Sequence, residues 1–238
     1  KSLAGRFGRP AARALGRRGI DGSVGVSDCD AEFTRPFVGP ETPIEIAHPF
    51  VQPETYDALG GVEPNLDANV AVTVARPWRY KGVDLLVDAW PAIRDKYPDA
   101  ELHVVGKGHP ESYAETPGVR VRGFVEELAD AFSPASLFVQ PSRVDAFPVS
   151  TLEAMRAGVP PLVTQTAGTR SEARQIDDSL VVGATPDALA DGVCQYFERG
   201  ADERREFADR ARERGARFDA DTRTAAFREA FRAVLKAL

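Results

Sequence analysis

From residue 69 onward, strand-like and helix-like stretches alternate, and this alternation restricts the fold more than any other feature of the chain. "NVAVTVA" (69–75) has the length and β-branched content of a buried strand, and "GVDLLVDAWPAIRDKY" (82–97) has the apolar period of a helix. "ELHVVG" (101–106) and "VRVRGF" (119–124) read as strands, "EELADAF" as a short helix, "SLFVQ" as a strand and "PVSTLEAMRAG" as a helix that stops at Gly158. "VPPLVT", "TRSEARQI" and "SLVVG" repeat the order, and residues 186–238 read as helix. Strands alternating with helices mean βαβ units. The expected fold is therefore α/β, a doubly wound parallel sheet.

The 238 residues, 43% of them hydrophobic, suffice for one large core or two small ones. A net charge of −6 argues against a general nucleic-acid binder, so no nucleic-acid partner is expected. Cys29 and Cys194 lack C-x-x-C spacing, which implies neither a disulfide framework nor a zinc site. Apolar runs stay near the length of "VAVTVA", far below the roughly 18 residues of a membrane span. These features together fit a cytoplasmic chain. Residues 1–20 carry six basic side chains and no acid. Leu3, Phe7, Ala11 and Leu15, four apart, would suit peripheral contact with an anionic membrane on the cytoplasmic face. Gly5, Gly8, Pro10 and Gly16 interrupt such a helix and favour a surface segment of a preceding domain.

Residues 21–48 read as a smaller strand–helix–strand unit, "GSVGV", "SDCDAEFTRPF" and "PIEIAH". "PFVQPETYDALGGVEPNLD" follows, rich in Pro, Gly and acids, and reads as a linker. The Asp28-x-Asp30 pair resembles a metal motif, but Ser27 and Asp30 have the spacing of a helix capping box, as do Thr169 and Glu172. His48, His103 and His109 have no metal-ligand spacing, so no metal site is expected.

In an open parallel sheet, ligands bind beyond the carboxyl ends of the strands. The 69–75 strand runs into Arg76-Pro77-Trp78-Arg79-Tyr80-Lys81-Gly82, and the next into Gly106-Lys107-Gly108-His109. The third ends at Gly123-Phe124, and the fourth at Pro141-Ser142-Arg143-Val144-Asp145. Cations, glycine-rich backbone and acids thus gather on one rim, as a site for an anionic ligand bearing hydroxyls would require. Pro148 suits the first position of a helix. The free amides of Val149 and Ser150 then face the rim, where helix termini bind phosphates. Glu153 lies one turn on, and a carboxylate can accept two hydrogen bonds from a vicinal diol. Blander roles stand beside these: a helix cap for Asp145, a solvated cation for Lys81, a polar turn for Lys107 and His109.

"VARPWRYKGVDLLVDAW", "ELHVVGKG", "VRVRGFV" and "LFVQPSRVDAFPVSTLEAMRAGVPPLV" resemble, in order, the blocks of the nucleotide-sugar half of retaining GT-B glycosyltransferases of group 1. The resemblance covers roughly residues 20–235 and implies a Rossmann-like donor domain over 69–218. Residues 1–50 would be the remnant of an N-terminal acceptor domain and 51–68 the linker, with a closing helix, 219–238, that crosses back to the first domain. By position, Arg76 and Lys81 would be catalytic, gripping the donor diphosphate. Glu153 would hold the ribose and Asp145 the transferred sugar, while Gly106, Lys107, Phe124, Phe147, Val149 and Ser150 complete the donor site. The implied partners are a nucleotide-sugar donor and a glycan, lipid or small-molecule acceptor, with no cofactor. Departures from the pattern are Asp145 for the usual Glu, Ala146 and Pro148 for two glycines, and Ala75 for the glycine of the first block. A non-catalytic nucleotide-sugar-binding module or truncated relic is the alternative that the departures favour. A nucleotide-sugar epimerase of similar shape is disfavoured by "RPWRYKG" and the Asp145–Glu153 spacing.

Overall fold

A computed structural model describes residues 19–238. The chain divides into two compact units, one running up to Pro49 and taking in Asp221–Leu238, the other spanning Phe50–Ala220. The membrane-contact reading falls on residues 1–18, outside the described ones.

In the smaller unit, β1 (Ser23–Gly25) pairs in parallel with β2 (Ile44–Ile46), and α1 (Asp28–Thr34) lies between them in sequence. The Ser27 hydroxyl accepts the Asp30 amide at 3.1 Å, and the Asp30 carboxylate accepts the Val26 amide at 3.1 Å. Asp30 is therefore spent on starting the helix, as the capping reading expects. Residues 221–238, most of the terminal helix, group with this unit.

The larger unit opens with α2 (Pro53–Gly60) and continues through β3 (Val70–Val74), α3 (Val83–Lys96), β4 (Glu101–Val105), β5 (Val119–Gly123) and α4 (Ala129–Phe132). Then follow β6 (Leu137–Gln140), α5 (Val149–Arg156), β7 (Pro161–Thr164), α6 (Arg170–Arg174), β8 (Val181–Val182), α7 (Pro186–Phe197) and α8 (Ala201–Gly215). Its six strands pair in parallel in the order β5-β4-β3-β6-β7-β8. The chain winds outward from β3 in one direction, returns to β6, and winds outward in the other. Such a reversal leaves a crevice beyond the carboxyl ends of the two central strands.

The sheet is buried on both faces because successive side chains of a strand point to opposite sides. Leu137 and Val139 of β6 join one apolar cluster, with Trp90, Ile93 and Leu189, whereas Phe138 joins the other, with Leu59, Phe132 and Ala154. Strands read as continuous apolar runs for this reason. Trp90 is completely buried, and burial of a large apolar side chain contributes roughly 1.5–3 kcal/mol.

The segment expected to be a linker, 51–68, is instead part of the larger unit. Val51, Leu59 and Val62 are buried, and α2 is held by Arg156, which lies over the Tyr56 ring at 4.2 Å and donates to the Tyr56 carbonyl at 3.1 Å. Arg212 donates to the Val62 carbonyl at 3.0 Å. The composition suggested solvent exposure, but three apolar side chains and two arginines fix the segment. The capping box at Thr169 also fails to form. Thr169 donates to the Thr151 hydroxyl at 3.3 Å, and the Glu172 carboxylate, 4% exposed as a residue, pairs with Arg214 at 2.7 Å. Buried charge pairing takes precedence there, since an unpaired carboxylate would carry the larger cost.

Candidate functional site

The loop after β3 and the loop after β6 meet at the crevice. Arg143 donates its backbone amide to the Tyr80 carbonyl at 2.8 Å, and its guanidinium makes a two-pronged pair with Asp84 at 2.6 and 2.8 Å. The pair holds the Asp84 carboxyl below the usual carboxylate range, chiefly through the hydrogen bond from Arg143. The two loops touch so closely that Gly82, at φ +70°, has no room for a side chain; a Cβ would lie 2.0 Å from the Pro141 carbonyl oxygen. Gly106, at φ +139°, is confined in the same way, with a Cβ position 1.9 Å from the Ala75 oxygen. His109, buried, accordingly serves the turn: its Nε2 donates to the Ala75 carbonyl at 2.9 Å and ties the 106–109 loop to the end of β3.

Lys81 and Asp145 are brought into direct contact. Their Nζ–Oδ2 distance is 2.6 Å, and the side chains are only 19% and 11% exposed. Asp145 is itself fixed by its backbone, which forms an isolated parallel bridge to Ala167, with its amide donating to the Thr166 carbonyl at 3.2 Å and its carbonyl accepting from Gly168 at 2.8 Å. The cap role weighed for Asp145 is not what it does: α5 has no side-chain cap. The ladder of α5 starts with Thr151 donating to Pro148 at 3.1 Å, so the amides of Val149 and Ser150 precede it. Pro148 takes the N-cap position, one residue earlier than expected.

The Glu153 carboxylate, on the second turn of α5, has no hydrogen-bond or ion-pair partner among the described residues, and burial alone raises its pKa from 4.5 to about 7. Arg76 is exposed and lies over the Trp78 ring at 5.3 Å, and Lys107 lies over the exposed Phe124 ring at 4.5 Å. Phe147 departs from expectation. It is buried, 7% exposed, with its ring 6.3 Å from Phe218, so it packs inside the unit instead of lining the rim. Burial of the ring removes a large apolar area from water, and the pair with Phe218 adds to that.

Sequence reasoning missed the polar support beneath the crevice. Gln140 and Ser142, both fully buried, are hydrogen-bonded to each other at 2.7 Å. The available signal was a glutamine at the end of an otherwise apolar strand, "LFVQ". Arg143 and Asp84 gave no signal, because their pairing spans 59 residues. Among the described residues, no three His, Cys, Asp or Glu side chains come together as metal ligands, and no helix is long and apolar enough to cross a membrane.

The fold recurs in solved structures. Sucrose-phosphate synthase from Thermosynechococcus elongatus superposes with a TM-score of 0.76 at 20% identity, covering 100% of this chain and 64% of that one. WaaG, a glycosyltransferase involved in lipopolysaccharide biosynthesis, gives 0.73 at 20% identity over 96% of this chain and 67% of its own. These likenesses show the GT-B type of fold. In sequence, the D-inositol 3-phosphate glycosyltransferase of Corynebacterium urealyticum is 29% identical over 199 residues, 76% of this chain and 47% of the relative. The chain thus spans about half the length of that relative. The profile of the family "Glycosyl transferases group 1" matches residues 68–199, which hold β3 through β8, both crevice loops and every candidate residue above, and the chain belongs to that family.

Proposed function

We propose that the chain is the donor-binding part of a glycosyltransferase that moves a sugar from a nucleoside-diphosphate sugar to a glycan, lipid or small-molecule acceptor, with retention at the anomeric carbon and without a metal. The carrying observation is the Lys81–Asp145 contact at the reversal point of the sheet, next to the uncapped terminus of α5. In this reading the diphosphate takes Lys81 from Asp145, and the Val149 and Ser150 amides meet its oxygens. The released Asp145 carboxylate accepts hydroxyls of the sugar, and Glu153, already without a partner, accepts the ribose diol. Arg76 adds a second cation, and the Lys107–Phe124 pair offers a ring face to the base. As the glycosidic bond breaks, charge grows on the diphosphate, and fixed cations with helix amides stabilise it most in that state. This supplies the role that a metal plays elsewhere. The retaining outcome rests on the order of the sequence blocks.

The Anabaena protein HepE, solved in complex with UDP-glucose, has a TM-score of 0.72 with this chain at 18% identity. A uridine nucleotide is accordingly the first donor to try. The same reading places the chain in the cytoplasm, where nucleotide sugars are made available.

The test is calorimetric titration with UDP-, GDP- and ADP-sugars of the chain and of two variants, Lys81→Ala and Lys96→Ala. Lys96 is exposed at the far end of α3 and serves as the control. A charge-assisted hydrogen bond is worth about 1.5–3 kcal/mol, so Lys81→Ala is expected to weaken binding at least about tenfold. Equal affinity in both variants rejects Lys81 as a phosphate ligand.

A further inference from the structure

Beneath the crevice lies an unbroken chain of side-chain hydrogen bonds. The Ser150 hydroxyl donates to Gln140 Oε1 at 3.1 Å, and Gln140 Nε2 donates to Ser142 Oγ at 2.7 Å. Ser142 Oγ in turn donates to Asp145 Oδ2 at 3.4 Å, the oxygen that receives Lys81 at 2.6 Å. Gln140 and Ser142 are fully buried, and the Ser142 carbonyl is pinned by Thr164 at 2.6 Å and Thr166 at 2.7 Å. Neither residue reaches the crevice surface, so neither is a ligand.

The order of donors in this chain is set by chemistry. A glutamine amide has one donor end and one acceptor end. With Nε2 on Ser142, the serine uses a lone pair inward and keeps its single proton for Asp145. Were the amide reversed, Ser142 would give that proton to Gln140 Oε1 and Asp145 would lose a donor. A hydrogen bond to a carboxylate is roughly twice as strong as one between neutral groups, so the charge of Asp145 selects the observed direction. One buried amide thereby connects the α5 terminus, the Asp145 carboxylate and Lys81.

We propose that Gln140 and Ser142 are positioning residues: the relay Ser150–Gln140–Ser142 holds the Asp145 carboxylate in register with the α5 amides, where it meets the sugar of the donor once the diphosphate has taken Lys81. The assignment rests on the donor-binding reading of the same site. It makes Gln140 a determinant of how well the sugar, as distinct from the nucleotide, is held. Val149 and Ser150 contact phosphate through backbone that the relay does not create, and Glu153 lies outside it. Loss of the relay therefore falls on the part of the ligand that Asp145 faces.

The experiment compares UDP-glucose with UDP by calorimetry on the whole chain and on Gln140→Leu, Ser142→Ala, Ser142→Thr and the double variant Gln140→Leu/Ser142→Ala. Each single loss is expected to weaken UDP-glucose about tenfold and UDP less than threefold. The double variant should be no worse than either single one, and Ser142→Thr, which keeps the hydroxyl, should restore binding. Thermal unfolding of Gln140→Leu, Asp145→Asn and their combination gives a ligand-free reading, in which the relay predicts non-additive shifts. An unchanged UDP-glucose to UDP ratio, or additive unfolding shifts, in a chain that binds UDP overturns the relay alone. No binding of any nucleotide sugar by the unmodified chain overturns the donor-binding reading and the positioning role together.

Discussion

At the scale of single residues, Glu153 is a carboxyl whose state burial changes strongly. Its carboxyl titrates at about 7 in place of 4.5, because burial penalises the anion and no cation compensates. The raised pKa has a definite sign. Between about 4.5 and about 7 the folded chain holds a proton that the unfolded chain has lost, so stability falls as pH rises through this window and levels off above it. At about 1.36 kcal/mol per pKa unit, the penalty above pH 7 is on the order of 3 kcal/mol. Glu153→Gln should therefore melt higher than the parent at pH 8 and level with it at pH 4, by scanning calorimetry at the two pH values. The same group should couple to the ligand. A ribose diol needs the anion as acceptor, so affinity for a nucleotide sugar should rise from pH 6 to pH 8, and Glu153→Gln should flatten that rise. A parent and variant with parallel pH profiles would remove Glu153 from the site. The sequence marked Glu153 by its place on the helix after Pro148, by its spacing from Asp145 and by the resemblance of its block. Its lack of a partner, which gives it these properties, depends on the packing around α5 and could not be read from spacing.

At the scale of elements, the crevice exists because two loops from strands whose ends lie 66 residues apart in sequence, after Val74 and after Gln140, fit against each other at Gly82. A side chain there meets the Pro141 carbonyl and a left-handed backbone at once. Gly82→Ala should cost about 1–3 kcal/mol, the range of a strained backbone position, and urea unfolding would measure it. Because the strain falls on the loop that carries Lys81, nucleotide-sugar affinity should drop in the same variant, whereas Gly61→Ala, exposed and with nothing nearer than 4.0 Å to the added carbon, should alter neither. The elements themselves were largely visible in the sequence. β3, β4, β6 and β7 are largely apolar runs bounded by Gly, Pro or polar residues, and α3 was legible despite Pro91 because its apolar period continues on both sides of that exposed proline. α2 was misread for the opposite reason. Two prolines and two glycines near it suggest a loop, and its hold on the unit comes from Arg156 and Arg212, about 100 and 150 residues away. Local pattern reveals what a segment can form, but not which distant arginine will reach it.

At the scale of the whole molecule, the site and its support fall within one unit. Residues 50–220 contain both apolar clusters, all six strands of the large sheet and every residue assigned to the donor. The unit also closes its own ends. Val51 donates its amide to the Phe218 carbonyl at 3.0 Å, so the first and last segments of the unit are paired with each other. Tyr56 donates its hydroxyl to the Ala216 carbonyl at 2.9 Å, and Phe218 is 2% exposed against Phe147. Arg204, 5% exposed, strengthens the opposite side. Its guanidinium donates to the carbonyls of Phe197 at 2.6 Å, Leu66 at 3.1 Å and Ala68 at 3.2 Å, and so joins the end of α7 to the approach to β3. A cation at a helix C-terminus also opposes the helix dipole. A unit of about 170 residues with a two-sided core is large enough to fold by itself. The expected outcome is that a fragment of residues 50–220 folds cooperatively and binds a nucleotide sugar within about threefold of the 238-residue chain. Circular dichroism melting and calorimetric titration of both proteins are the measurements. A fragment that folds but binds tenfold or more weakly would mean that residues outside 50–220 contribute to donor binding. A fragment that does not fold would show that the smaller unit stabilises the larger.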